Sequence, residues 1–250
     1  MSGHSRWSQI KRKKGKTDVQ RGKLFSKILR EITVAARNGG GDPKANMRLK
    51  AAMESAKEAN MPQDNMKRAI QKGTGELPGE SYEEVTYEGY APGGVAILVQ
   101  VLTDNRNRTG PELRHAFEKF GGNMGSSGAV AWMFERKGII QVDAAKIGED
   151  DLLGKALDAG ATDMRQVEKA FEITTAPAEM DTVREALQRA GVPVLEGQVS
   201  FVPQSMVRVE GKDATAVVRL IEALEELDDV QSVYANYDIP DEVLEAISAA

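Results

Sequence analysis

From residue 18 onward the chain sorts its apolar and polar positions with a helical period. Leu24, Phe25, Ile28, Leu29, Ile32, Ala35 and Ala36 recur three or four apart, the spacing that gathers one apolar face on a helix. At about 100° per residue, Lys23, Lys27, Arg30 and Arg37 fall on the other face, so this helix is expected to pack inward and hold cations outward. Asn38 and Gly39–Gly41 stop it, because glycine readily takes the left-handed conformation of a C-terminal cap. Asp42 and Pro43 then read as the N-cap and first residue of a second helix. That helix runs to about residue 60 and buries Ala45, Leu49, Ala52, Met53 and Ala56. Pro62 opens a third, short helix, which Gly73 closes.

Beyond residue 81 the period moves towards two. Tyr82 to Tyr90 and Gly94 to Thr103 read as paired strands around Ala91-Pro92-Gly93-Gly94, a strong turn signal. A helix follows, with Thr109 and Glu112 as a capping box and Leu113, Ala116, Phe117 and Phe120 on one face. Ala129 to Glu135 reads as a further strand. Residues 138 to 202 give strand, helix, strand, strand, helix, strand, the ferredoxin-like order. MVRVE, a helix from about Lys212 to Leu227, and VQSVYANYD supply a last βαβ.

The expected fold is therefore α+β and multidomain, with a three-helix N-terminal domain and two α/β domains of ferredoxin-like character, the third inserted in the second. The expected boundaries are a flexible basic tail over 1–17, a helical domain over 18–78, a discontinuous α/β domain over 79–135 and 206–250, and an inserted α/β domain over 136–205.

Composition narrows the chemistry. There is no cysteine, which removes disulfides, thiolate metal sites and cysteine nucleophiles. The two histidines, His4 and His115, are too few for a histidine-rich metal site. No run approaches the roughly 18 apolar residues that a membrane span needs. The first thirty residues lack the apolar core of a secretory signal, so a cytoplasmic location is expected.

Charge changes the picture when it is divided along the chain. The net charge is −5, but residues 1 to 75 hold 18 Lys/Arg against 6 Asp/Glu, a net of +12, and the remainder holds 15 against 32, a net of −17. This asymmetry points to a polyanion-binding arm on an acidic body. Arg6, Lys11, Arg12, Lys13, Lys14 and Lys16 precede the first acid, Asp18, and Arg21, Lys23, Lys27, Arg30 and Arg37 follow it. Clustered cations neutralise phosphates and release counterions. Trp7, with His4 beside it in the same tail, could stack on an unpaired base. Solvation of a tail and anchoring by Trp7 is the plainer alternative.

Arg106 and Arg108, in TDNRNR, stand at a strand end and a helix start, where anions are favoured. They are candidates for a second phosphate contact, or partners of the acidic body around turns stabilised by Asp104, Asn105 and Asn107. GGNMGSSG follows a helix instead of opening one, and Gly15-Lys16-Thr17 lacks the earlier glycine of a phosphate loop, where Ile10 stands. Both read as caps and turns. No catalytic constellation emerges, so an enzyme is not expected.

GHSRW at 3–7, RGKLFSKILREITVAAR at 21–37, GGGDP at 39–43, NMP at 60–62 and RAIQKGTGE at 68–76 closely resemble the YebC/PmpR family. YEGYAPGGVAILV at 87–99, LTDNRNRT at 102–109, GGNMG at 121–125 and FERKG at 134–138 continue the likeness, which is dense over residues 3 to 140. The resemblance implies a helical first domain and two α/β domains, the third inserted in the second. It also implies a cytoplasmic, non-enzymatic, DNA-binding transcriptional regulator. The alternative it leaves open is a ribosome- or ribosomal-RNA-associated translation factor that helps elongation through difficult stretches such as consecutive prolines. Expected partners are thus DNA or ribosomal RNA, with no membrane and no cofactor, as a monomer or weak dimer.

Overall fold

The computed structural model describes residues 18–167 and 169–249. The basic tail, with His4, Arg6, Trp7, Lys11, Arg12, Lys13, Lys14 and Lys16, lies outside the described residues. The chain divides into two compact units, Trp132–Met206 and the segments that flank it up to Ala131 and from Val207 onward.

In the flanking unit, helices α1 (Asp18–Gly39), α2 (Met47–Glu58) and α3 (Gln63–Thr74) form a bundle. Its core joins Ile28, Ile32, Ala35 and Ala36 to Leu49, Ala52 and Ala56 of α2 and to Met66 and Ala69 of α3. Two expected helix signals move. Helix α2 begins at Met47, not after Asp42, because Asn46 is the N-cap and accepts from the Leu49 amide at 3.1 Å. The Asn46 amide group also donates to the carbonyls of Ala35 and Gly40, at 2.7 and 2.8 Å. Asp42 instead starts a turn, accepting from the Lys44 amide at 2.9 Å. Helix α3 closes two residues later than expected, at the left-handed Gly75 (φ 83°). Gly73 is buried inside the helix, where a Cβ would lie 2.4 Å from the Thr33 carbonyl oxygen, so it sets how closely α1 and α3 approach.

Strands β1 (Glu83–Ala91) and β2 (Val95–Thr103) form the expected hairpin, with Ala91 opposite Val95 and Tyr87 opposite Val99. Helix α4 (Arg106–Lys119) follows, then β3 (Asn123–Met124), which pairs with β1. The capping box expected at Thr109 and Glu112 does not form. Asn105 caps α4, its side chain accepting from the amides of Asn107 and Arg108 at 3.0 and 3.2 Å, and Thr109 is fully buried. The strand expected over Ala129–Glu135 is replaced by a tight 3-10 turn at Ala131–Met133, and pairing begins only at Phe134.

The inserted unit contains β4 (Phe134–Asp143), α5 (Glu149–Ala159), β5 (Asp163–Val167), β6 (Ala170–Thr175), α6 (Met180–Arg189) and β7 (Val194–Pro203). Its sheet is antiparallel in the order β5-β6-β4-β7, the ferredoxin-like arrangement. Ile140, Val142, Phe171 and Ile173 meet Leu152, Ala156, Val183 and Leu187 from the two helices.

The chain then returns to the first sheet. Helix α7 (Gly211–Glu225) covers it and β9 (Val230–Ala235) pairs with β2, giving the order β3-β1-β2-β9. The MVRVE strand does not join that sheet. Only β8 (Val207–Arg208) forms, and it pairs in parallel with β10 (Tyr237–Asp238), because β9 and β3 already occupy the edges of the hairpin. A final helix, α8 (Asp241–Ala249), packs Leu244 into the same core and was not anticipated from the sequence.

Candidate nucleic-acid interface

Helix α1 carries the cations expected to face outward, and most of them are engaged by the protein itself. Lys23 Nζ donates to the Glu226 carbonyl at 3.2 Å and Lys27 Nζ to the Glu225 carbonyl at 2.5 Å. Arg30 donates to the Asp228 carbonyl and pairs with the Asp229 carboxylate at 3.3 Å. These acceptors lie at and just beyond the C-terminal turn of α7, where unsatisfied carbonyls concentrate partial negative charge. Arg37 holds the linker after α3, donating to Ser81 Oγ at 2.7 Å and the Glu80 carbonyl at 3.1 Å. Arg21 is exposed, yet it too has an interaction partner. Residues Ile32 to Ala36 are buried in an unbroken run. Five successive helical positions point all round the axis, so α1 is covered on the face opposite the bundle as well. The outward cationic face expected from the sequence is thus an internal docking face.

Arg106 and Arg108 resolve in the same direction. Arg106 Nε meets Glu83 at 2.5 Å. Arg108 bridges Asp104 at 2.8 Å and the buried Asp229 at 2.6 Å. The Thr109 and Thr103 hydroxyls donate to the same Asp229 oxygen at 2.6 and 3.1 Å. Burial works to raise the Asp229 carboxyl, but the hydrogen bonds from Thr109 and Arg108 and the charges of Arg30 and Arg108 hold it below the ordinary carboxylate range. Reciprocally, Asp229 and then Asp104 raise Arg108. TDNRNR is therefore a strand-to-helix junction organised around one buried acid, with both arginines paired to acids of the chain as the plainer reading had it.

Two buried acids that organise these loops were not anticipated from the sequence. Asp229 sits in a DD pair before an apolar strand, and its signal was the need of TDNRNR for a counter-charge. Glu88 is 4% exposed, on β1. Its Oε1 accepts from the Gly128 amide at 2.7 Å, and its Oε2 accepts from Val130 and Ala131 at 2.7 and 2.8 Å. Burial alone would raise this carboxyl; the three amides lower it overall. The glycine-rich loop after α4 is thus organised by a carboxylate from within the chain. An acid at an inward position of β1, ahead of a loop rich in free amides, was the available cue.

A cleft of about 440 Å³ opens between α1, α3 and the linker, lined by Ser26, Arg30, Asn65, Arg68, Lys72, Glu80 and Tyr82 among others. Arg30 stacks over the Tyr82 ring at 5.7 Å. His115 is exposed on α4. Among the described residues no three His, Asp or Glu side chains cluster as a metal site would require, and no helix is long and apolar enough to cross a membrane.

Comparison with known proteins places these features in a family. Residues 5–76 match the TACO1/YebC protein N-terminal domain, and residues 82–237 match the TACO1/YebC second and third domain. A protein of Pelotomaculum thermopropionicum is 57% identical over 243 residues, covering 96% of this chain and all of its own. One of Syntrophus aciditrophicus is 55% identical over 250 residues, covering both chains fully. Each is named a "Probable transcriptional regulatory protein". The crystal structure of a conserved hypothetical protein from Aquifex aeolicus superposes with a TM-score of 0.83 at 54% identity, covering 92% of this chain and 95% of that one. Both family domains match in order along the chain and the likeness to these relatives runs its whole length, so the chain belongs to the TACO1/YebC family.

Proposed function

We propose that this protein is a non-enzymatic, nucleic-acid-binding regulator of gene expression, acting in the cytoplasm as a DNA-binding transcriptional regulator. The observation that carries the reading is the +12 charge of residues 1 to 75 beside a −17 remainder. The names of the relatives support the regulatory role. The internal use of Lys23, Lys27 and Arg30 is consistent with most of the binding charge residing in the tail, with further contributions from exposed cations on the bundle such as Lys44, Lys57 and Lys67.

The test is a titration of promoter fragments against scrambled duplex over a range of salt. Tighter binding to promoter, with a steep salt slope that flattens when Lys11, Arg12, Lys13 and Lys14 are neutralised, is the expected result. Equal affinity for both duplexes removes the sequence-specific regulator. A metal-supplemented nuclease assay with no turnover is expected of a protein that is not an enzyme.

A second reading is favoured by one observation. The basic helix α1 is committed to packing, and a tail of clustered cations contacts phosphates without reading bases. That suits an arm that binds ribosomal RNA. Cosedimentation with ribosomes in moderate salt, lost when the four tail cations are neutralised, separates this translation-factor role from the DNA-binding one.

A further inference from the structure

We propose that the cleft between α1, α3 and the linker is a binding site for a phosphodiester-linked nucleotide of a single-stranded nucleic acid; this rests on the nucleic-acid-binding role proposed above. Arg68 and Lys72 lie one turn apart on α3 and both line the cleft. Like charges at this spacing repel on an isolated helix. Neither side chain, nor that of Asn65 on the same helix, has a hydrogen-bond or ion-pair partner among the described residues. That leaves two cations and an amide donor converging on one open space, the chemistry that a phosphate oxygen satisfies.

The opposite wall supplies the surface for a base. Arg30 is held by Asp228 and Asp229 while it stacks over Tyr82, so its guanidinium plane and the tyrosine ring are fixed together. Bases of unpaired strands stack on aromatic rings and on arginine planes. The cleft also contains one acid, Glu80, which accepts from the Tyr82 hydroxyl at 2.6 Å. It faces three cations, so the cleft remains net positive. At about 440 Å³ the space is at the small-ligand end of binding pockets, which span about 300–1,000 Å³. It admits one splayed nucleotide and no duplex.

The experiment measures affinity by anisotropy for a short single-stranded RNA, the DNA of the same sequence and the matching duplex. It uses the full chain, its Arg68→Ala/Lys72→Ala variant and the variant neutralised at Lys11, Arg12, Lys13 and Lys14. The cleft variant is expected to lose about tenfold in single-strand affinity, to lower the salt slope by about 0.7, as for one lost phosphate contact, and to keep its duplex affinity and melting temperature. Comparing the RNA and DNA arms tells which strand supplies the nucleotide. A thio-substituted strand that binds is expected to crosslink at Tyr82. If the cleft variant binds single strands as the unmodified chain does while the tail variant loses them, the cleft proposal fails and the broader reading stands. Equal loss of duplex affinity, or crosslinks confined away from Tyr82, also overturns it. If the unmodified chain binds no nucleic acid, the broader reading fails first.

Discussion

Asp229 shows how much one side chain can organise. It is 3% exposed, yet it receives both threonine hydroxyls and faces two arginines from separate elements. Its carboxyl is depressed, so its contribution to stability is present above the ordinary carboxylate value of 3.8 and is lost as pH falls through the folded value below it. Replacing Asp229 with Asn removes the charge and leaves Arg108 and Arg30 facing a neutral amide. The expected loss at neutral pH is about 1.5–3 kcal/mol, the range for hydrogen bonds to charged groups. The difference from the unmodified chain should shrink as pH falls below about 4, where the unfolded chain takes up a proton at Asp229 first, and vanish only once the folded carboxyl is protonated too. Urea unfolding at several pH values measures it, and a gap of constant size down to pH 3 would show that the charge is not the cause.

At the scale of the element, α1 has two apolar-to-polar boundaries and one use for each. The stripe through Ile28, Ile32 and Ala36 closes the bundle, and the cations opposite it dock onto the end of α7. Cations at a helix C-terminus contribute about 0.3–1 kcal/mol each, more when partly buried. Replacing Lys23, Lys27 and Arg30 together by Ala should therefore lower stability by about 1–3 kcal/mol. A chemical denaturation midpoint reads this directly. An unchanged midpoint with weakened nucleic-acid binding would return these side chains to the outward role their spacing suggested. The same contrast explains why charge on a helix face is ambiguous in sequence: the period says which side a cation takes, and not what covers that side.

For the whole molecule, the inserted unit is the clearest case of a part that carries its own core. Ile140, Leu152, Ile173, Val183 and Leu187 are buried together, all from within Trp132–Met206. Its two ends meet, with the Gln204 amide donating to the Met133 carbonyl at 2.9 Å and Phe134 paired with Pro203. Expressed alone, residues 132–206 should fold cooperatively, as other small single-core domains do. A sigmoidal thermal transition with mixed α/β circular dichroism is expected, and a featureless coil spectrum would show that the core depends on the flanking segments.

Local pattern made most elements legible. The apolar period placed α1, the turn at Pro92-Gly93-Gly94 placed the hairpin, and the succession of strand and helix patterns placed the six elements of the inserted unit, because each of these depends on neighbours a few residues away. The first end of a helix was less legible. Asn46 and Asn105 displaced Asp42 and Thr109 as caps, since several polar side chains compete for the same amides and only the folded backbone selects one. The sequence by itself also determined the charge division of the chain, which no fold can alter. What the tertiary structure alone decided is where those charges are spent. Asp229 meets Arg108 across 121 residues, and Lys27 meets the α7 carbonyls across 198. Separations of that length leave no periodic trace, because the attraction that joins the partners acts through space and only the completed fold brings them within its reach.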